Sequence, residues 1–217
     1  MMTVLSTKIL TDTQKELFQN SGMNVIDYDA ISIEFLDFEA PQFVKNGIFT
    51  SQNAVRSILD KNIQISNAFC VGEKTKQLLE ENGQNVVKMH EYASELTEFI
   101  QNNYQNEEFY FFCGNRRKEE IPSSFKNSKN TLFELKTYKT DLNSVKFDQK
   151  WDGILFFSPS GVQSYTIKNS LGITSVFCIG KTTAEEAKLH IKSPIFIADD
   201  TTIESVIKKA INTLKND

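Results

Sequence analysis

The sequence predicts an α/β protein built on parallel sheets, and three observations carry that prediction. Short apolar runs ending in Gly, Ser or Thr alternate with helical stretches along the chain, the order that arises when each strand reaches a parallel neighbour through a crossover helix. A block of the first half recurs in the second, so this order is laid down twice. At 217 residues, with 40% hydrophobic and 24% charged, the chain is an ordinary globular protein with enough length for two domains, each burying its own core.

The repeat is explicit. Gly47-Ile48-Phe49-Thr50-Ser51-Gln52-Asn53-Ala54-Val55 resembles Gly153-Ile154-Leu155-Phe156-Phe157-Ser158-Pro159-Ser160-Gly161-Val162, 106 residues on. Ala68-Phe69-Cys70-Val71-Gly72-Glu73-Lys74-Thr75 matches Val176-Phe177-Cys178-Ile179-Gly180-Lys181-Thr182-Thr183, 108 residues on. Thr3 to Ser6 and a helix from Asp12 answer Phe109 to Cys113 and a helix from Arg117 to Phe125. The expected strands are Asn24 to Tyr28, Ile48 to Thr50, Ala68 to Val71, Val86 to Met89, Leu132 to Leu135, Ile154 to Phe157, Val176 to Ile179 and Ile195 to Ala198. Asp12 is placed to cap Thr13 to Asn20 before Gly22, Ser94 to cap Glu95 to Gln101, and Thr201-Thr202-Ile203-Glu204 reads as a capping box. Ser32 to Leu36 and Glu134 to Lys139 alternate polar and apolar residues, as short two-sided strands between domains would.

Composition narrows the function classes. No apolar run approaches the ~20 residues of a membrane span, and the N-terminus lacks a signal-peptide pattern, so the expectation is a cytoplasmic protein. Cys70, Cys113 and Cys178 are odd in number, sit in apolar segments and show no C-x-x-C spacing, so they read as reduced core residues rather than disulfides or zinc ligands. A net charge of −4 argues against a nucleic-acid binder. Only Arg56, Arg116 and Arg117 are arginines, and two fall together in Asn115-Arg116-Arg117-Lys118.

In an open parallel sheet, ligands bind beyond the carboxyl ends of the strands. Four repeated loops meet that description: Thr50 to Asn53, Gly72 to Thr75, Ser158 to Gly161 and Gly180 to Thr183. Each brings small residues, hydroxyls and helix-start N–H groups, a combination that suits carboxylate or phosphate. The plainer reading is that the hydroxyls cap their own helices; the duplication tilts the set toward binding. Gly180-Lys181-Thr182 lacks the Gly a P-loop requires five residues earlier, where Ser175 stands. Ser158 lacks the Gly of a hydrolase elbow two positions before it, where Phe156 stands. Asp199-Asp200 lacks the partner residues of a phosphorelay receiver. His90 and His190 show no ligand spacing and read as surface or edge residues, and Phe109 to Phe112 as a buried strand.

As a set, Phe156-Phe157-Ser158-Pro159-Ser160-Gly161-Val162, Ile179-Gly180-Lys181-Thr182-Thr183-Ala184, Thr50-Ser51-Gln52-Asn53-Ala54-Val55 and Thr137-Tyr138 resemble the uroporphyrinogen-III synthase family over essentially the whole chain. The resemblance implies two α/β domains of similar architecture joined by a two-strand linker, the first domain discontinuous: Met1 to Ser32 with Asp141 to Asp217, and Ile33 to Thr140 between. It also implies a reaction in which hydroxymethylbilane loses water and closes to a macrocycle with its last pyrrole ring inverted, without metal or organic cofactor, in a monomer with no nucleic-acid or membrane partner. Departure of hydroxide is driven by the electron-rich pyrrole, so the protein's task is to fold a flexible substrate into one geometry, with an acid beside the leaving hydroxyl.

Tyr138 matches the family tyrosine proposed for that acid; the alternative is a hinge aromatic filling space. Ser158, Ser160, Gly161, Lys181, Thr182 and Thr183 match substrate loops of one half, and Thr50, Ser51 and Asn53 those of the other. Arg116 joins them as a cation for a substrate that bears eight carboxylates. Lys8 stands where family members often carry Arg, offering a point charge in place of a bidentate fork. A non-catalytic module that binds a polycarboxylate is the competing expectation.

Overall fold

The computed structural model describes residues 1–172 and 174–216. In chain order its elements are β1 (Thr3–Ser6), α1 (Asp12–Gln19), β2 (Asn24–Asp27), β3 (Ile31–Phe35), β4 (Phe43–Phe49), α2 (Gln52–Arg56), β5 (Gln64–Val71), α3 (Glu73–Glu81) and β6 (Val86–His90). They continue with α4 (Ala93–Asn103), β7 (Glu108–Gly114), α5 (Glu120–Phe125), β8 (Thr131–Leu142), β9 (Gly153–Phe156), α6 (Pro159–Lys168), β10 (Ser175–Cys178), α7 (Lys181–His190), β11 (Ile195–Ile197) and α8 (Ile203–Asn216). Two compact units result, one of Met1–Ser32 with Asp141–Asp217, the other of Ile33–Thr140. Asp217 itself lies outside the described residues.

The first unit holds a sheet of order β11-β10-β9-β1-β2, with every neighbouring pair parallel. Its strands bury alternate residues on opposite faces. Val4, Leu155 and Phe177 pack with Phe18 of α1 and Val206, Ile207 and Ala210 of α8. Leu5, Ile154, Phe156, Val176 and Cys178 pack instead with Val162 and Tyr165 of α6 and Ala184 and Ala187 of α7. Covering both faces is what makes these strands unbroken apolar runs.

The second unit holds the order β3-β8-β7-β4-β5-β6, with β4–β5, β4–β7, β5–β6 and β7–β8 parallel. Phe49, Ala68, Cys70 and Phe112 face α2 and α3 through Val55 and Leu79, and the Phe49 and Phe112 rings stack at 4.9 Å. Ile48, Phe69, Phe109, Phe111 and Cys113 face α4 and α5 through Leu96, Ile100, Ile121 and Phe125. The Phe109 to Phe112 run is thus a core strand; only Tyr110 is half-buried, stacking on Phe133 at 5.0 Å.

The two sheets share one plan, which the repeat foreshadows. In the second unit the chain runs outward through β4, β5 and β6, then returns to the other side of β4 for β7 and β8. The first unit follows the same path only when read from β9 through β11 and then from the N-terminus through β1 and β2. It is a circularly permuted copy, so β1 answers β7.

Cap assignments shift in three places. Thr11, not Asp12, caps α1, with Gln14 closing a capping box, because the Thr11 hydroxyl reaches the Gln14 N–H at 3.3 Å. Gly22 ends that turn at φ 73°, a conformation costly for other residues. Ser94 lies inside α4, which starts at Ala93 without a side-chain cap. In the last helix Thr202 caps the Ser205 N–H at 3.1 Å, one residue later than the expected box.

Candidate functional site

In each unit the chain reverses its direction of travel across the sheet beside one central strand pair, β1 and β9 in the first and β4 and β7 in the second. Such switch points are where open α/β sheets leave room for ligands.

In the first unit, Ser158 caps α6 by accepting the Gly161 N–H at 3.0 Å. Pro159 opens the helix, where its missing N–H costs nothing. Ser158 and Ser160 remain partly exposed. Thr7, which follows β1, donates its hydroxyl to the Leu155 carbonyl at 2.7 Å, and the same carbonyl accepts the Thr7 N–H at 3.1 Å. Gly161 packs against this Thr7: a Cβ built on it would lie 3.5 Å from the Thr7 hydroxyl oxygen. Lys8 is exposed on a loop fixed from three sides. The Ser6 hydroxyl bonds its carbonyl at 2.5 Å, while Asp29 and Asp27 accept the N–H groups of Ile9 at 3.1 Å and Leu10 at 2.8 Å. Lys181 and Thr182 are exposed at the start of α7, whose N-terminus carries no side-chain cap. Thr183 is only 2% exposed, like its repeat partner Thr75 at 6%, so its hydroxyl lies inside the helix–sheet layer rather than on the loop surface.

In the second unit, Ser51 caps α2 by accepting the Asn53 N–H at 3.1 Å. Thr50, Ser51 and Asn53 are all partly exposed. Arg56 reaches back from the end of α2 to Gln52 Oε1 at 3.1 Å and Asn53 Oδ1 at 3.4 Å. Tyr138, on β8, brings its phenol to the Ser51 hydroxyl. Burial raises the phenol's pKa above its ordinary value of 10.0, and the Ser51 bond opposes that rise.

Other expected residues sort by environment. Arg116 is exposed, and Arg117 is held by Glu119 and Glu134. His90 sits at the end of β6, 3.5 Å from Glu95, and His190 bonds Glu186 at 2.9 Å on the surface of α7. All three cysteines are buried and unpaired. Burial pushes the thiols of Cys70 and Cys178 up to about 12 and that of Cys113 to about 11, so none is a ready thiolate. Among the described residues no group of three or more His, Cys, Asp or Glu could hold a metal, and no helix is long and apolar enough to cross a membrane.

Sequence reasoning missed Thr7 and Asn115. Asn115 donates its backbone N–H to the Tyr138 carbonyl at 3.2 Å, and its side-chain oxygen accepts the Thr140 N–H at 2.8 Å. Its position next to the Arg116-Arg117 pair was visible, but the strand it grips lies far along the chain.

Comparison with known proteins sets this geometry in context. The family profile described as uroporphyrinogen-III synthase HemD matches residues 12–208. Among curated proteins no sequence match is found. The chain is similar in fold to uroporphyrinogen-III synthetase from Helicobacter pylori, at 15% identity and TM-score 0.66, over 98% of this chain and 100% of that one. A variant of the enzyme from Thermus thermophilus aligns at 11% identity and TM-score 0.72, over 100% of this chain and 99% of the other, and its wild type at 12% and 0.57, with the same coverage. A profile match spanning nearly all the described chain, laid over the duplicated sheet plan, places this protein in the uroporphyrinogen-III synthase family.

Proposed function

We propose that this chain closes hydroxymethylbilane to uroporphyrinogen III, with loss of water and inversion of the last pyrrole ring, as a step of tetrapyrrole biosynthesis. The observation that carries the reading is the family match over residues 12–208, and it favours an enzyme over a passive binding module. The substrate is a flexible polyanion, so catalysis consists mainly in holding it so that one α-carbon of the last ring, and not the other, meets the electrophile left when hydroxide departs.

The strand-end loops suit that task. Ser158, Ser160 and Gly161 with Thr182, Lys181 and Lys8 supply donors from the first unit. Thr50, Ser51, Asn53 and Arg116 supply them from the second. Thr183 contributes through the start of α7 rather than through its buried hydroxyl. Dispersed hydroxyl and N–H donors neutralise carboxylates without a dense cationic face, which fits a chain of net charge −4. Tyr138 donates its phenolic proton toward the departing hydroxyl. With its pKa raised by burial, the phenol is a hydrogen-bond donor throughout the neutral range and a weak proton source.

The test is the product. Purified protein added to hydroxymethylbilane should divert it from the spontaneous I isomer to the III isomer. Binding that raises the melting temperature without changing the isomer would instead support the passive module.

A further inference from the structure

We propose that Gly114 and Asn115 are positioning residues for Tyr138: the glycine supplies the space its ring occupies, and the asparagine clamps the backbone around it. The catalytic part of this inference rests on the reading of Tyr138 given above; the geometric part does not.

Three observations converge on one phenol. The β7–β8 register runs evenly from Glu108↔Thr131 to Cys113↔Lys136, then shifts so that Gly114 faces Tyr138. Thr137 is the extra residue, fully buried, with a hydroxyl that finds no partner. Leu135 and Tyr138 both pack against the core shared with Phe49 and Phe112. Residues three apart on a regular strand point to opposite faces; the bulge at Thr137 turns Tyr138 to the face of Leu135.

Space is the second device. A Cβ on Gly114 would lie 2.5 Å from Tyr138 Cε2, 2.6 Å from Cζ and 3.0 Å from the phenol oxygen, and these are its three nearest atoms. Gly114 is not among the glycines at positive φ, which are Gly22, Gly72 and Gly83. Its backbone would therefore accept alanine, and the Tyr138 ring alone forbids it. The third device is Asn115, which bonds the Tyr138 carbonyl at 3.2 Å and Thr140 through both its side-chain oxygen, at 2.8 Å, and its side-chain nitrogen, at 3.4 Å. A ring that only filled space would not need the strand just after it held by Asn115 and its hydroxyl met by Ser51.

The experiment compares wild type, Gly114→Ala, Tyr138→Phe and the double variant in initial-rate cyclisation, and follows the tyrosines by NMR with 13C at Cζ, assigning Tyr138 by its loss in Tyr138→Phe. Gly114→Ala should lower kcat by about tenfold or more with KM changed far less. In the Tyr138→Phe background the same substitution should cost little further, about twofold at most on the same scale. The Tyr138 resonance should shift and titrate closer to an ordinary phenol, while the other five of the six tyrosines titrate as in wild type. An unchanged Tyr138 titration, or an equal kcat loss in both backgrounds, overturns the proposal. Should Gly114→Ala fail to fold, Gly114→Ala in a Tyr138→Ala chain removes the ring the methyl would meet and should fold; failure there too overturns the assignment. A wild type that forms no III isomer sinks the cyclase reading, and the NMR arm still decides the geometry.

Discussion

Replacing Tyr138 with phenylalanine deletes one oxygen and keeps the ring that rests on Gly114. In the folded protein the loss is the phenol's bond with Ser51, worth about 0.5–1.5 kcal/mol and at the lower end for a half-buried group. The Ser51 cap to Asn53, at 3.1 Å, survives, so α2 keeps its start. If the phenol donates to the departing hydroxyl, the variant also loses a bond that strengthens as charge develops. That loss should lower kcat by one to two decades, or about 1.4–2.7 kcal/mol at the barrier. A larger loss is not expected, because burial raises the phenol's pKa and makes full proton transfer unfavourable. The assay is the initial rate of III-isomer formation at saturating substrate, beside a thermal melt of the same sample. A kcat within about twofold of wild type, on the scale just given, together with a lowered melting temperature would refute the reasoning and make Tyr138 a packing residue.

Ser158→Asp separates capping from binding. Aspartate caps about as well as serine and its charge suits a helix N-terminus, so the melt should hold while KM for the polycarboxylate rises severalfold; an unchanged KM would remove this loop from the substrate site. Arg116→Gln should raise KM, whereas Arg117→Gln should leave KM alone and lower stability slightly, because Arg117 serves Glu119 and Glu134; the reverse pattern in steady-state kinetics would contradict the assignment. Stability should fall at alkaline pH. Folded Cys70 and Cys178 hold their protons to about 12, against 9.0 for a free thiol, so the unfolded chain releases protons first and the urea midpoint drops as pH rises above 9. Cys178→Ala should flatten that slope, and a midpoint curve identical to wild type would show that the thiol does not drive it.

The sheets were legible in the chain because a strand covered on both faces must be apolar throughout, as Ile154 to Phe156 and Phe109 to Cys113 are. Their kinship was legible because two loops recur in order; the permutation was not, because it lies in which strands pair. Cap positions slipped by a residue because Thr11 and Asp12, or Thr201 and Thr202, are equally good cap chemistries, and only the backbone path decides which hydroxyl meets an N–H. The surroundings of Tyr138 were not legible. They depend on a bulge at Thr137, a glycine from another strand and an asparagine gripping across 25 residues, none of which leaves a periodic trace. Burial of Thr183 escaped for a related reason: a first-turn residue faces inward or outward according to how its helix leans on the sheet.

The most direct measurement is the isomer ratio of uroporphyrinogen formed from hydroxymethylbilane as the concentration of this protein is raised. The account predicts that the III isomer displaces the I isomer progressively until it is nearly the sole product. Formation of the I isomer alone, at the uncatalysed rate at every protein concentration, would contradict it.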